Sequence, residues 1–526
     1  MSRDFQLPGR SPVIAQEGMA ATSHPLATLT AIDTLRAGGN AVDAAVAATA
    51  VLGVVEPQST GIGGDCFCMI SQPGKPVWGY NGCGRAGAAA STEALLQQGL
   101  TEIGLSIHAV TVPGAIEAWE AILKAHGRFG LDRALAPAIR FAEHGFPVAA
   151  RIADAWAKQK AKLAADPGAT KHFLFNGGTP KEGDVIKFPA LAATMKTIAQ
   201  KGARAFYEGD IAQDMVKTLR ARGSFQTEAD FAGHRGEVVT PIATNYRGLD
   251  ILELPPNGQG LTALVLLNIL ENFDMAALDP LGPERFHIML EAARMAYGVR
   301  DTHIADPAHM RVDVPALLDK AFAKRLAAKI DLTKRSALPV HPTPDNDTVY
   351  LSVVDKDRMA VSFINSLYSN FGVGICTEKT GIMLTNRGGC FVLDPKHPNT
   401  FGAGKRPMHT IIPALAMRNG RCEMSFGVMG SHFQPMGHTQ VVLNMIDYGM
   451  DVQQAIDAPR IFFEGEDTMP ERGVSPATLE GLRARGHKLV TASSPWGGGQ
   501  TIKIDWDRGV LIGGSEPRKD GCALGY

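Results

Sequence analysis

The chain has 526 residues, 45% hydrophobic and 20% charged, the composition of a globular protein that buries a large core in one or more domains. Its 52 Lys and Arg nearly balance 53 Asp and Glu, and the net charge of −1 leaves no electrostatic footprint for nucleic acid or an anionic membrane. A small molecule is the partner that remains.

The N-terminal stretch through His24 lacks the unbroken apolar run of a secretory signal. No window approaches the roughly 18 uninterrupted apolar residues of a spanning helix. Seven cysteines, an odd number, are scattered apart from Cys66 and Cys68, and they form neither a disulfide framework nor a zinc-type pair of pairs. Free thiols in a reducing cytoplasm are the expectation.

In chain order, two alanine-rich helices are expected over residues 25–54. Leu26, Leu29, Ile32 and Leu35 recur at helical spacing until Gly38-Gly39, and Asn40 caps a second run, Ala41–Val54, apolar on nearly all sides and so buried. The glycine-rich loop Glu56–Asp65 then feeds a strand at Cys66–Ser71. Its glycines suit a phosphate cradle or a tight turn beside an active site or core. The order G-x-G-G, followed by a strand and not a helix, favours the turn. Helices are expected at Ala115–His126, Arg133–His144, Leu261–Asn272, Arg285–Arg300 and Pro315–Ile330, with short strands across Val238–Leu254 turned at Tyr246–Leu249. Asp331–Asp347, polar and proline-bearing, is the linker candidate.

The chain then changes character. A strand-like alternation opens on Thr348 and runs to Val353, a charged four-residue turn follows at Lys356–Met359, and a second apolar run returns over Ala360–Leu367. Further strands are expected at Gly381–Leu384, Phe391–Leu393, Ile411–Met417 and Glu423–Val428. Helices follow at His438–Tyr448, Val452–Ala458 and Thr478–Arg485, and Thr501–Asp505 with Gly509–Gly513 forms a closing hairpin. Helices first and short strands last argue for an α+β protein of stacked sheets flanked by helix layers, not an alternating barrel.

A threonine hydroxyl is a poor nucleophile until a base takes its proton, and a free α-amine on the same residue has a pKa suited to that task. Thr348 qualifies only if the Asp347–Thr348 bond is cut. The plain alternative is that Thr348 merely begins a strand.

Ordered motifs support the first reading: GGNAVDAAVA (38–47), VPGAIEAW (112–119), TPIATNYRG (240–248), TVYLSVVDKD (348–357), FGVGI (371–375), TGIMLTN (380–386), GKRPMHTIIPAL (404–415) and IDYGMDVQQAIDAPR (446–460). With these the chain resembles the γ-glutamyltransferase family of N-terminal-nucleophile (Ntn) hydrolases, from about Gly18 to Tyr526. The resemblance implies a four-layer αββα sandwich with additional helices. It also implies an acyl-enzyme mechanism and a proenzyme that cuts itself into a large subunit, 1–347, and a small one, 348–526. Those products would stay together as a heterodimer, alone or paired with a second. No cofactor and no metal are called for.

By matched position, Thr348 stands at the family's nucleophile and Ser366 where the family keeps a threonine that hydrogen-bonds it. A four-residue turn would put Leu367, not Ser366, opposite Thr348, so Ser366 can help only with a bulge or another loop count. Gly430 and Ser431 stand at the glycine pair whose N–H groups form the oxyanion hole. The departures concern substrate. Typical members hold a carboxylate with an arginine where this chain has Cys83, with Arg85 two residues on, and with a serine pair where it has His409-Thr410. They bind an ammonium with Glu or Gln and Asp where it has Arg387 and Cys390, and Tyr368 replaces an asparagine. A pocket that gains a guanidinium and loses a carboxylate should reject an ammonium and attract a carboxylate. The pattern is similar to the divergent branch that includes oxamate amidohydrolase, implying a small carboxylate-bearing amide held by Arg387 or Arg85. A true γ-glutamyltransferase and glutathione hydrolase is the alternative. A metal hydrolase built on His409, His432 and His438 with Asp301, His303 or Asp306 fits less well, because the H-x₅-H spacing of His432 and His438 matches no helical ligand pair.

Overall fold

The strands Val349–Val354 and Ala360–Ser366 are the third and fourth of a seven-stranded sheet. The order is Cys522–Gly525, Met19–Thr22, Val349–Val354, Ala360–Ser366, Asp65–Ser71, Trp78–Gly82, Glu237–Val239, with every pairing antiparallel. This is a computed structural model, and it describes residues 9–337 and 348–526. The cleavage-site residue Asp347 and most of the expected linker lie outside the described residues.

Side chains on a strand alternate between faces, and here both faces are buried. Val349, Leu351, Val353, Val361 and Phe363 join a core with the helices Pro25–Arg36, Ala41–Val55 and Ala115–His126. Tyr350, Val354, Ala360 and Ile364 point the other way, into a core shared with Ile411, Leu415, Ile502 and Leu511. Those partners belong to or adjoin a second seven-stranded antiparallel sheet: Val13–Ala15, Val510–Ser515, Gly498–Asp505, Arg421–Met429, Ala414–Arg418, Leu249–Glu253, Ile242–Tyr246. Its outer face carries Gly260–Leu270, Pro283–His303 and Gln434–Ile446. The layers are therefore helix, sheet, sheet, helix, as expected.

The local signals behave as read. Asn40 closes a capping box with Asp43, and every residue of Ala41–Val55 is buried. Leu29 departs from the pattern, being 48% exposed on the far side of its helix. Pro315–Ile330 is two helices, Val314–Leu318 and Lys320–Ala327, because Asp319 ends one and caps the next through Phe322 N–H. The expected strands Gly381–Leu384 and Phe391–Leu393 are not strands; they carry only the single bridges Cys376–Met383 and Val392–Thr400, with Gly381 in the left-handed region at φ 68°.

The central hairpin differs from expectation in one decisive count. Its register runs Val349 to Asn365 through Val354 to Ala360, so the connection is five residues, Asp355–Met359. The Asp355 carboxylate accepts from the N–H groups of Asp357 and Met359, and Arg358 takes φ 62° to complete the reversal. Continued one step, this register sets Thr348 opposite Ser366. Among the described residues, no helix is long and apolar enough to cross a membrane.

Candidate active site

Thr348 is fully buried at the head of its strand, and its Oγ1 lies 3.0 Å from Ser366 Oγ. Ser366 Oγ also accepts the Tyr368 N–H at 2.8 Å. Ser366 is braced from behind by the glycine-rich loop. A Cβ on Gly64 would stand 2.2 Å from the Ser366 carbonyl oxygen, and one on Gly63 would stand 2.0 Å from that of Met383. The glycines allow backbone to lie on backbone, and the loop is the tight turn beside the site.

Beyond Ser366 the chain reverses through Tyr368, at φ 79°. The Arg387 guanidinium lies over its ring, 4.3 Å from the centroid. Arg387 is fully buried, its Nη1 donates to Thr410 Oγ1 at 2.6 Å, and Cys390 Sγ is a distant partner at 3.9 Å. Among the described residues its Nε and Nη2 have no hydrogen-bond partner. A buried guanidinium left half-satisfied is costly, and an anion within reach would relieve it.

Tyr368 Oη is 3.1 Å from His432 Nε2. Arg300 Nη1, which can only donate, is 3.0 Å from His432 Nδ1, so the proton of the neutral ring sits on Nε2 and faces Tyr368. Burial, with Arg300 and Arg387 nearby, holds the His432 pKa well below the usual range. Arg300 also donates to Gln259 Oε1, while Gln259 Nε2 donates to the carbonyls of both Thr410 and Ser431 at 2.8 Å. One glutamine thus ties the residue that anchors Arg387 to the Gly430–Ser431 loop. Nothing in the sequence marks Gln259 as a glutamine that will be fully buried.

Gly430 and Ser431 both take left-handed backbone, at φ 125° and 49°. A Cβ on Gly430 would come within 2.8 Å of Gly497 Cα. Ser431 adopts a conformation that glycine favours. The short turn Ser431–Phe433 leads directly into the helix Gln434–Ile446, so this loop lies at a helix N-terminus.

His409 has both ring nitrogens engaged within the protein. Its Nδ1 accepts Ile411 N–H, so its Nε2 proton goes to Asp65 Oδ2 at 3.1 Å, and burial followed by Arg387 lowers its pKa to about 3. Asp65, paired across strands with Ser366, also accepts the N–H groups of Gly84 and Gly114. Cys83 accepts from Asn257 Nδ2, and burial pushes its thiol pKa up, the state of an inert thiol. Asp65, Cys83 and His409 have ligating atoms within 4.8 Å of one another, but each is engaged as described, and among the described residues His432 and His438 join no such group. Arg85 is occupied elsewhere, by Asp306, Glu237 and the Gly404 carbonyl. The structure therefore gathers Thr348, Ser366, Tyr368, Arg387, Cys390 and Thr410, joins Gly430 and Ser431 to them through Gln259 and His432, and leaves Arg85 outside.

A hydroxyl residue heading a central strand of an αββα sandwich defines the Ntn-hydrolase class. Residues 27–526 match the gamma-glutamyltranspeptidase family, and the chain belongs to it. It is 39% identical over 524 residues to the glutathione hydrolase-like YwrD proenzyme of Bacillus subtilis (strain 168), spanning 98% of this chain and 99% of that one. It is 35% identical over 528 residues to the oxamate amidohydrolase proenzyme of Klebsiella pneumoniae, with coverage of 98% and 99%. The crystal structure of cephalosporin acylase from Bacillus halodurans superposes with a TM-score of 0.93 at 38% identity, covering 100% of this chain and 99% of that one.

Proposed function

We propose that the chain is a self-cleaving amidohydrolase with Thr348 as its nucleophile, acting on a small amide whose acyl part carries a carboxylate, as oxamate does. The observation that carries this reading is the buried Arg387 guanidinium, two of whose nitrogens have no partner among the described residues. In a dry site those nitrogens suit the two oxygens of a carboxylate and repel the ammonium of a γ-glutamyl group. The names of relatives are consistent with self-processing and with amide hydrolysis, and one of them is an oxamate amidohydrolase.

Cutting the Asp347–Thr348 bond yields residues 1–347 and 348–526 and frees the Thr348 α-amine. That amine takes the Oγ1 proton as Oγ1 bonds to the amide carbon. The oxyanion is met by the N–H groups of Gly430 and Ser431. The C–N bond then breaks, the proton passes from the amine to the departing nitrogen, and an ester to Thr348 remains. Water attacks that ester, gives its proton to the amine, and the proton returns to Oγ1 as the acid leaves. Ser366 orients the Thr348 hydroxyl, and its own oxygen is fixed by Tyr368 N–H.

A denaturing gel with N-terminal sequencing tests the first half: two bands, the smaller beginning TVYLS. Ammonia release from oxamate, set against release of p-nitroaniline from γ-glutamyl-p-nitroanilide, tests the second. Turnover of the glutamyl substrate alone would overturn the role given to Arg387 and Cys390.

A further inference from the structure

Gln259 is fully buried, and its backbone is fixed against one histidine. Its own N–H donates to the His409 carbonyl at 2.8 Å, and the Asn257 carbonyl, two residues earlier, accepts the His409 N–H at 2.8 Å. The side chain is committed as well. Arg300 Nη1 can only donate, so the amide oxygen faces it at 3.0 Å and the amide nitrogen points the other way. The two N–H groups of that nitrogen go to two carbonyls, Thr410 and Ser431, each at 2.8 Å.

Ser431 is the strained partner in this arrangement. It holds φ 49°, a region where a Cβ costs free energy and glycine is at ease. The peptide unit before it is held by the Gly430 carbonyl, which accepts the Phe433 N–H at 2.9 Å. The unit after it is held by the Ser431 carbonyl, which accepts the Gln434 N–H and Gln259 Nε2. The two backbone bonds lie within the turn. Gln259, at the head of the helix Gly260–Leu270, fastens that turn to another element. Because φ relates the two units, Ser431 can relax to a negative φ only if one of them rolls, and the first unit carries the Ser431 N–H.

Resting on the reading above, in which the Ser431 N–H meets the oxyanion, we propose that Gln259 is a positioning residue that holds Ser431 left-handed and so keeps this N–H aimed at the reacting carbonyl. It acts through other residues on a second front too. Its other N–H fixes the backbone of Thr410, whose Oγ1 accepts from Arg387 at 2.6 Å. One buried amide therefore sets both an oxyanion donor and the guanidinium that takes the substrate carboxylate.

The test is a double-mutant cycle on the processed enzyme with oxamate. Gln259→Leu removes both donors, and Gln259→Glu, made separately, removes them while keeping the shape and the oxygen that faces Arg300. Each should lower kcat by about tenfold, the scale of the left-handed strain that Ser431 would shed, and raise KM several-fold through Arg387. In a Ser431→Gly background the kcat loss should shrink to about twofold, because glycine occupies the left-handed region without help, while the effect on KM persists. Rates are taken per molecule of small subunit on a gel, so a lower yield of processed enzyme does not alter them. No loss of kcat in either Gln259 variant, or the same loss in both backgrounds, would overturn the inference and leave the amidohydrolase reading intact. If γ-glutamyl-p-nitroanilide alone is turned over, the amidohydrolase reading falls, and the same kcat comparison on that substrate decides the role of Gln259.

Discussion

Thr348 Oγ1 and Ser366 Oγ meet at 3.0 Å because five residues, Asp355–Met359, close the hairpin between their strands. One residue fewer would turn Ser366 to the opposite face. Ser366→Ala should therefore slow both self-cleavage and turnover, by about tenfold for the loss of roughly 1–1.5 kcal/mol of hydrogen bonding. Ser366→Thr, which keeps a hydroxyl at this position, should retain both. Thr348→Ala should leave one uncut, inactive chain. Gel time courses and initial rates read these outcomes, and processing of Thr348→Ala at this bond would refute the nucleophile assignment.

Arg387 offers a test that separates binding from folding. With Nε and Nη2 unpartnered among the described residues, the buried guanidinium burdens the ligand-free protein. Arg387→Met should raise KM for oxamate by about tenfold to a hundredfold, the worth of about 1.5–3 kcal/mol of charge-assisted hydrogen bonding. The same change should leave the thermal midpoint unchanged or higher. Arg387→Lys should rescue little, because an ammonium cannot reproduce the two-pronged contact. A lowered midpoint with an unchanged KM would show that Arg387 is a structural residue.

Much of this was legible in the chain because it rests on local signals. The cap at Asn40, the strand pair after Thr348 and the helices around Trp119 and Leu264 each follow from spacing and composition. The register of the central hairpin was not legible, since it depends on where the Asp355 side chain closes the loop. The strands Met19–Thr22 and Cys522–Gly525 are too short to show alternation, yet the first pairs with the nucleophile strand and the second pairs with the first at the edge of the sheet. Gly381–Leu384 was misread for the converse reason: it is apolar, but Gly381 takes left-handed backbone and the segment finds only a one-residue partner. In the site, the matched positions were readable one by one. The links between them through Gln259 and His432 are tertiary, and only the fold reveals them.

Gly64 connects the glycine-rich loop to the nucleophile. A methyl group there would stand 2.2 Å from the Ser366 carbonyl oxygen, and backbone has nowhere to retreat between two packed strands. Gly64→Ala should cost about 1–3 kcal/mol of stability by overpacking. It should also impair self-cleavage beyond what that loss explains, because Ser366 must shift. Gly74→Ala is the control, a positive-φ glycine with no atom near its would-be Cβ, and it should destabilise without touching processing. Equal processing defects in the two variants would remove the link between Gly64 and Ser366.

Buried histidines set the acid limit of the fold. Burial lowers the pKa of His409, His438 and His487 to about 3 and of His24 and His234 to about 4. In the unfolded chain each returns to about 6.5. Between those values the unfolded state holds the extra protons, so stability falls as pH drops below about 6.5, by up to about 1.4 kcal/mol per pH unit for each histidine. Glu253, whose carboxyl is raised by burial beside His438, works in the opposite sense and offsets part of the slope. The thermal midpoint should thus decline steadily from pH 7 to pH 5, well before ordinary carboxylates titrate. His234→Phe keeps a ring stacked on Tyr207 and removes one titrating group, so it should flatten the decline by up to one histidine's share. A midpoint that stays level from pH 7 to pH 5 in the parent protein would mean that these rings are already protonated, or reach water, in the folded state.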